Sequence, residues 1–360
     1  MKYALHLGKP FGIKVWVHWT FILIIVWVIF IDLQQGFNAG QIIYSVLFVL
    51  SIFLCVVLHE LSHSLVARRY GIQTRSITLL PIGGVADLEK MPEDPREELA
   101  VSLAGPLMNL VIAFLLWIFL SVGGGIDLQP SNFQDINSSN FLLILMFANI
   151  MLAVFNLIPA FPMDGGRVFR SLLAMSMSRD KATYVAMNIG KIFAFFLALW
   201  GIYTNPFLIF IAIFIFIGAQ REYELVRYSS VLTGYTVSDV LMHEYTPLHP
   251  DETLKRAVDI LLDGPEQRFV VTDDNQVVGI LTRNDIIQGL MHFDQDMEVR
   301  KFMNTGVTSF SPDTALEKAY EKMRTQQITM APVLKDDQLV GLIDMDNINE
   351  FLMVRQALRR

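Results

Sequence analysis

Residues Gln41–Ala67 read QIIYSVLFVLSIFLCVVLHELSHSLVA, a long apolar run that ends in two histidines and a glutamate. About 20 mostly apolar residues are enough to cross a bilayer as a helix. On such a helix His59 and His63 lie one turn apart on one face, with Glu60 beside them. Because ionisable groups are costly inside a membrane, they usually mark function there. The stretch predicts a transmembrane helix that carries a chemical site.

The pattern H-E-x-x-H at His59–His63 supplies two imidazole ligands for zinc and one carboxylate that can act as a general base. A motif this short also arises by chance, but its place in an apolar span strengthens the interpretation. The alternative is a hydrated helix end, since Arg68 and Arg69 follow directly.

A third ligand is expected, because catalytic zinc usually has three protein ligands and one open position. The sequence Asn156–Arg167, NLIPAFPMDGGR, places Asp164 between two prolines and two glycines at the end of another apolar run. Broken helix at membrane depth is tolerated only when it is buried in protein or lines a wet cavity. Asp164 is therefore the candidate third ligand; the alternative is an ordinary turn in which Asp164 caps the next helix.

The whole chain is too apolar for a soluble protein. Hydrophobic residues make up 53% and charged residues 18%, against roughly 25% charged in soluble domains. Six apolar spans are predicted: Val15–Ile31, Gln41–Ala67, Leu99–Ser121, Phe141–Ile158, Ala182–Tyr203 and Pro206–Ala219. Val15–Ile31 is too long and aromatic for a signal segment, so it is expected to stay in the mature protein.

Lysine and arginine indicate the orientation of these spans. They occur before the first span, in alternate connections and after the sixth span, whereas the connections 32–40, 122–140 and 204–205 contain none. Short cytoplasmic loops carry the excess of these residues. The pattern predicts a multi-pass protein of the cell membrane with both termini in the cytoplasm.

The two motifs, His59–His63 and Asn156–Gly165, resemble in order and placement those of site-2 protease family intramembrane zinc metalloproteases. The resemblance covers roughly Lys9–Arg227. It implies a membrane domain of six helices, one Zn²⁺ held by His59, His63 and Asp164, and Glu60 as the general base. It also implies that the substrate is a single-pass membrane protein, cut within or near its transmembrane segment.

An amide is expected to stabilise the oxyanion that peptide hydrolysis forms. Asn156, in the second motif, is the first candidate. Asn109 lies in the third span and is either a second oxyanion donor or a structural residue that hydrogen-bonds between helices.

The segment Ile72–Ala86 reads as a β-hairpin with a Pro/Gly turn and resembles a membrane-associated hairpin of the same family. Since a helix hides its carbonyls in internal hydrogen bonds, a substrate must be extended before hydrolysis. We expect Ile82, Gly83 and Gly84 to present an edge to which a substrate strand adds. The alternative is a plain linker between helices.

The remainder of the chain, 229–360, is soluble in character. It carries 13 Lys+Arg against 21 Asp+Glu, while residues 1–228 carry 15 against 14. The net charge of residues 229–360 is negative, whereas binding to the phosphates of a nucleic acid requires positive charge. A nucleic acid is therefore excluded as the leading partner. A repeat with an offset of 62 residues, such as Leu254 with Leu316, predicts two β-α-β-β-α copies. The expected domains are 1–228, 229–292 and 293–360.

The two copies resemble cystathionine-β-synthase (CBS) domains, an α/β module whose pairs commonly bind adenine nucleotides. In copy one, Thr282 and Asp285 match the family positions for phosphate and ribose, so ATP, ADP or AMP is the expected ligand. Copy two has Asp344 and Asn347 at those positions, where an acid repels phosphate. The alternative is a structural pair, or one that associates chains into homo-oligomers.

Three further residues have simpler interpretations. Cys55 cannot form an intrachain disulfide because it is the one cysteine, and we interpret it as a buried apolar residue. His18 is interpreted as an interfacial anchor and Lys191 as a snorkelling lysine. The competing function for the whole chain is a transporter or channel regulated by the CBS pair.

Overall fold

The computed structural model describes residues 4–81, 83–88, 91–122, 136–264, 266–274 and 276–358. The chain forms two compact units, Met1–Val226 and Arg227–Arg360. Each unit has its own hydrophobic clusters.

The first unit contains one four-stranded sheet. Its strands are β1 (Ala4–Gly8), β2 (Lys14–His18), β3 (Thr74–Leu80) and β4 (Gly83–Leu88), in that spatial order. The β2–β3 pair is parallel and the other two pairs are antiparallel. Alternate apolar residues of the sheet, such as Ile77 and Leu79, pack on Val57 and Leu61 of the helix that carries the H-E-x-x-H motif. The sheet therefore packs against the part of that helix that carries the motif.

The predicted span Val15–Ile31 is wrong at its start. Val15–His18 belongs to strand β2, and the helix begins only at Phe21. Hydropathy alone missed the strand because its residues are as apolar as those of the helix that follows, whereas its β-branched and aromatic content favours pairing with β1 and β3.

Within the described ranges, seven α-helices accompany these strands, two of them between β2 and β3 and five after β4. They are α1 (Phe21–Gln34), α2 (Ala39–Arg69), α3 (Pro95–Val122), α4 (Phe141–Asn156), α5 (Asp164–Ala174), α6 (Arg179–Tyr203) and α7 (Phe207–Leu232). Helices α2, α3 and α6 are long and apolar enough to cross a membrane, and α1 and α4 are apolar but shorter. This supports a membrane protein with three candidate membrane helices.

Two glycines set the sharp connection between α4 and α5. A Cβ on Gly165 would lie 2.3 Å from the backbone of Leu157 and Ile158, and one on Gly166 would lie 2.6 Å from the backbone nitrogen of Phe161. The non-helical segment therefore wraps tightly around the first turn of α5. This close approach fixes the position of Asp164, the first residue of α5.

A fully buried arginine in the middle of α5 ties this helix to two others. Arg170 forms ion pairs with Glu98 of α3 and, at 2.8 Å, with Glu222 of α7. Its guanidinium carbon also lies 5.1 Å from the centre of the Phe161 ring, in the segment between α4 and α5. Breaking such a buried pair typically costs about 3–5 kcal/mol, so this cluster strongly constrains α5.

The second unit repeats one motif twice. The elements are α8 (Leu254–Asp263), β5 (Arg268–Asp273), β6 (Gln276–Thr282), α9 (Arg283–His292), α10 (Leu316–Thr325), β7 (Met330–Lys335), β8 (Gln338–Asp344) and α11 (Met345–Leu358). The first strand predicted for each copy is only an isolated parallel bridge, Leu248 to Val271 and Phe310 to Val333.

The two copies exchange their opening segments. Val237 and Val240, which begin copy one, are buried in one cluster with residues of α10, β7, β8 and α11. Val299, which begins copy two, is buried with residues of α8, β5, β6 and α9. A repeat boundary drawn on the sequence therefore does not separate the two packing units.

Candidate metal centre

Two helices bring three donor atoms together in the apolar interior of the first unit. The Nε2 atoms of His59 and His63 lie 3.1 Å from each other, and each lies 3.1 Å from Oδ2 of Asp164. All three residues are buried. They are the one such group of three metal-ligating side chains found among the described residues.

This triangle fits a zinc ion. Nitrogen and oxygen ligands bind Zn²⁺ at about 2.0–2.2 Å, so two ligands of a tetrahedral site lie about 3.3–3.5 Å apart. The observed 3.1 Å edges are close to that value. Two imidazoles and one carboxylate also match the donor chemistry of catalytic zinc sites, and the fourth position is left for water or substrate.

The other ring nitrogens of both histidines are hydrogen-bonded. Nδ1 of His63 lies 2.7 Å from the backbone carbonyl of Val101, and Nδ1 of His59 lies 3.3 Å from Oδ1 of Asn109. With acceptors at Nδ1, both rings carry their proton there, which leaves the Nε2 lone pairs in the donor triangle free to hold a metal ion. Asn109 thus lies against the side of His59 away from the donor triangle.

Gly105 of α3 makes room for the imidazole pair. A Cβ at this position would lie 2.2 Å from Nε2 of His63 and 2.5 Å from Nε2 of His59. These are the two nitrogen atoms that would hold a metal ion, so any side chain at this position would displace them. Gly105 therefore belongs to the cradle of the site although it donates no ligand.

Glu60 lies beside the triangle with a free carboxylate. Within the described part of the chain its side chain makes no hydrogen bond or ion pair. A Cβ on Gly84 of β4 would lie 2.7 Å from Cγ of Glu60. The hairpin backbone and the candidate base are therefore in direct contact.

A family model described as peptidase family M50 matches residues 47–125 and 120–199. A zinc metalloprotease of Methanocaldococcus jannaschii is 33% identical over 351 residues, which cover 97% of this chain and 96% of that protein. This chain belongs to the site-2 protease family. Stage IV sporulation protein FB of Bacillus subtilis is 26% identical over 64% of this chain and 82% of its own length.

The solved structure of a site-2 protease from Methanocaldococcus jannaschii is 39% identical and covers 61% of this chain and 95% of that chain, with a TM-score of 0.45. A CBS domain model matches residues 237–292 and 299–354. The resemblance of the two regions to these two families is confirmed.

Within the described residues of this site-2 protease, the side chain of Asn156 makes no hydrogen bond to His59, Glu60, His63 or Asp164. It is half-buried, and its amide donates to the carbonyl of Leu152, one turn earlier in α4. Action as an oxyanion donor therefore requires the side chain to turn away from its own helix.

The predicted hairpin forms, and β4 is an edge strand of the sheet. Gly83 has φ +132°, a conformation that favours glycine, and Gly84 is the residue packed on Glu60. Ile82 lies outside the described residues. The sequence pattern did not reveal β1 and β2, which extend the hairpin on its other side.

The candidate nucleotide residues make local structural contacts. Thr282 and Asp285 form a capping box at the start of α9, with 2.6 Å between Oγ1 of Thr282 and Oδ2 of Asp285. In copy two Asp344 pairs with Arg268, which comes from copy one, and Asn347 donates to the carbonyl of Val240 at 2.8 Å.

Arg268 is held between two carboxylates. Partial burial lowers the pKa of its guanidinium, but Asp344 and Asp346 raise it, and the net shift is upward. The negative charge that Asp344 adds to copy two is therefore neutralised from within the chain.

The three residues of simpler interpretation also have partners. His18 lies 2.7 Å from the hydroxyl of Thr20 at the start of α1. Lys191 donates to Gln220 at 2.6 Å and lies over the ring of Phe216. Cys55 is buried and accepts from the amide of Asn149.

Replacement of Gly105 by alanine should reduce zinc binding without unfolding the protein, because the new methyl group occupies the space of the two Nε2 atoms. Gly190→Ala is the matched control, since its Cβ would meet its nearest neighbours at an ordinary 3.5 Å. Zinc per chain, measured on detergent-purified protein, should fall only in the first variant. Full zinc occupancy in Gly105→Ala would contradict the assigned cradle.

Proposed function

We propose that this zinc metalloprotease is a multi-pass enzyme that hydrolyses a peptide bond within or near a transmembrane segment of a single-pass membrane protein. The observation that carries the proposal is the donor triangle of His59, His63 and Asp164, with edges of 3.1 Å and Glu60 beside it. The setting in apolar helices supports cleavage at membrane depth.

The residues of the chain divide the chemistry among them. His59, His63 and Asp164 would hold one Zn²⁺, which when bound acidifies water and polarises a carbonyl. Glu60, whose carboxylate has no competing partner among the described residues, accepts the proton of the attacking water. It then returns that proton to the leaving amine, which is the ordinary cycle of a general base.

The two asparagines take different roles in this proposal. Asn109 is a positioning residue, because its carbonyl oxygen orients the ring of His59. Asn156 provides an amide donor for the oxyanion after it releases the carbonyl of Leu152.

Glu60→Gln should bind zinc normally and lose activity. Removal of a general base usually costs about 10²–10⁴-fold in rate, and the amide keeps the size of the side chain. Cleavage of candidate single-pass substrates by detergent-purified protein should fall by at least about 100-fold. A chelator should abolish wild-type cleavage, and added zinc should restore it.

The same variant separates the protease from the runner-up. A transporter or channel regulated by CBS domains has no need for the four residues together, and family membership does not favour it. Glu60→Gln protein that retained zinc and cleaved at the wild-type rate would contradict the proposed chemistry. Glu60→Gln protein that bound metal normally and transported an ion as well as the wild type does would favour the transporter or channel.

The proposed topology has six spans and places both termini and the CBS pair in the cytoplasm. The alternate connections with and without lysine and arginine support this orientation. Helices α1, α4 and the apolar first part of α7 would supply the shorter spans, since tilting, local thinning or burial against neighbours accommodates short segments.

We also propose that the free edge of β4 receives the substrate as an added strand. The support is geometric: β4 ends the sheet, and its Gly84 touches Glu60. An extended segment paired at that edge would have its backbone next to the base without any further unfolding of the protein.

Strand addition predicts a period of two in the substrate. Only every second residue of an added strand directs its N–H toward the partner strand. Single proline substitutions through the cleaved segment should therefore slow cleavage at alternate positions and be tolerated between them. Equal sensitivity at every position would contradict pairing at β4.

Adenine nucleotide is proposed as the regulator of the CBS pair, at one site per chain. Thr282 and Asp285 of copy one retain the expected residue types, and within the described chain their side chains hydrogen-bond only with each other. The corresponding Asp344 and Asn347 differ in type and contact Arg268 and Val240. The support for the nucleotide is the family alone.

Calorimetry of the full-length protein with ATP, ADP and AMP should give one nucleotide per chain. Asp285→Asn should weaken binding by about tenfold, since the amide cannot accept from both ribose hydroxyls. Asn347→Ala, at the matched position in copy two, should bind as the wild type does. No heat with any of the three nucleotides, or two sites per chain, would contradict the proposal.

A further inference from the structure

A cavity lies where the N-terminal strands meet the end of α2, and none of the three metal-ligating residues lines it. Its volume is about 450 Å³. It is lined by the turn between β1 and β2, the last turns of α2 and the start of β3, and its principal residues are Phe11, Gly12, Ser64, Arg68, Gln73 and Thr74. None of these residues has a role in the proposed hydrolysis.

Two buried hydroxyl groups at this cavity have no hydrogen-bond partner within the described part of the chain. They are Oγ of Ser64, a residue only 1% exposed, and Oγ1 of Thr74. Hydroxyls inside helices commonly donate to the carbonyl four residues earlier. Four others in this unit do so, namely Ser51, Ser62, Ser171 and Thr183. Ser64 does not, so its hydroxyl is available to a ligand.

The charge at the cavity is positive. Arg68 lines it and uses one nitrogen, Nη1, to donate to the carbonyl of Phe11 at 3.1 Å. Lys9, Lys14, Arg69 and Arg75 are exposed on the adjoining segments. Residues 4–31 and 61–81 contain no aspartate or glutamate, and the acid on the paired strand β4 is Asp87, which is exposed and lies opposite Ser76. Guanidinium, hydroxyl and amide donors select an anion with several oxygen acceptors, as in a phosphate group.

Apolar side chains beside these donors indicate where the phosphate comes from. Phe11, at the mouth of the cavity, is 67% exposed, and Leu5 and Leu7 on the preceding strand are 69% and 59% exposed. Arg68 lies in the last turn of α2, where the apolar membrane helix ends. Basic residues at that level attract anionic headgroups, and exposed apolar residues enter the acyl boundary.

We propose that this cavity binds the phosphate group of an anionic membrane phospholipid. Arg68, Ser64, Thr74 and Gln73 would contact the headgroup, and Phe11, Leu5 and Leu7 would contact the acyl chains. Ser64 directly follows His63, and Thr74 begins the strand before the hairpin turn. A bound lipid would therefore tie the end of the imidazole-bearing helix to the hairpin. The proposal requires a bilayer and is independent of the proposed protease chemistry.

The test uses full-length protein that has been delipidated in detergent and titrated with phosphatidylglycerol or with phosphatidylcholine. Native mass spectrometry should show saturable binding of one phosphatidylglycerol per chain and much weaker binding of phosphatidylcholine. Arg68→Gln, and separately Ser64→Ala with Thr74→Val, should each weaken phosphatidylglycerol binding by about tenfold or more, because they remove donors to the phosphate.

Two matched controls keep the result specific. Arg69→Gln removes the neighbouring exposed charge, which does not line the cavity, and Ser51→Ala removes a hydroxyl that is satisfied by its own helix. Both should bind the lipid as the wild type does. Unchanged zinc content in all variants shows that the fold is intact.

Three results would overturn the proposal. Equal loss in Arg68→Gln and Arg69→Gln would mean diffuse attraction to a basic surface. Competition by inorganic phosphate at the same concentration as the lipid would mean a soluble anion. Equal retention of the two lipids by the wild type, a measurement that needs no variant, would mean that headgroup charge is not recognised.

Discussion

The structure of the membrane unit depends on bringing three polar donor atoms to one point inside apolar helices. Neither the imidazole pair of α2 nor the carboxylate of α5 can be left unpaired at that depth without a large desolvation cost. Their convergence requires backbones to approach more closely than side chains allow. Gly105 meets this requirement on α3, and Gly165 and Gly166 meet it where α5 turns against α4. The three donor side chains can therefore meet only because glycine occupies these three positions.

The charged cluster around Arg170 has a related effect in the middle of α5. Burial of two carboxylates and a guanidinium stabilises little on balance, since desolvation offsets most of the attraction. Separation of the partners is nevertheless costly, because it leaves a buried charge without its counter-charge. Helices α3, α5 and α7 are joined by Arg170, Glu98 and Glu222, so the helix that begins with Asp164 has little freedom to shift along its axis.

Much of this organisation could be predicted from residue spacing. The two histidines and their glutamate follow from helical periodicity, and Asp164 follows from the broken helix around it. The offset of 62 residues identified the repeat. Packing features that depend on distant contacts could not be predicted. Strand β2 has the composition of a membrane span, and the roles of Gly105 and Arg170 exist only once α3 lies against α2 and α5. The exchange of opening segments between the CBS copies is likewise invisible to periodicity, because each segment keeps its place in the sequence repeat.

The exchange is accompanied by another contact between residues far apart in the sequence, at the end of α7. Helix α7 runs without interruption from the first unit to Leu232, and its last residues, Val231 and Leu232, are buried in the core built on β7 and β8. Within the second unit, the copy that comes last in the chain thus includes the end of α7 in its hydrophobic core. Val231 and Leu232 therefore belong to the fold of the terminal copy, although they precede both copies in the sequence.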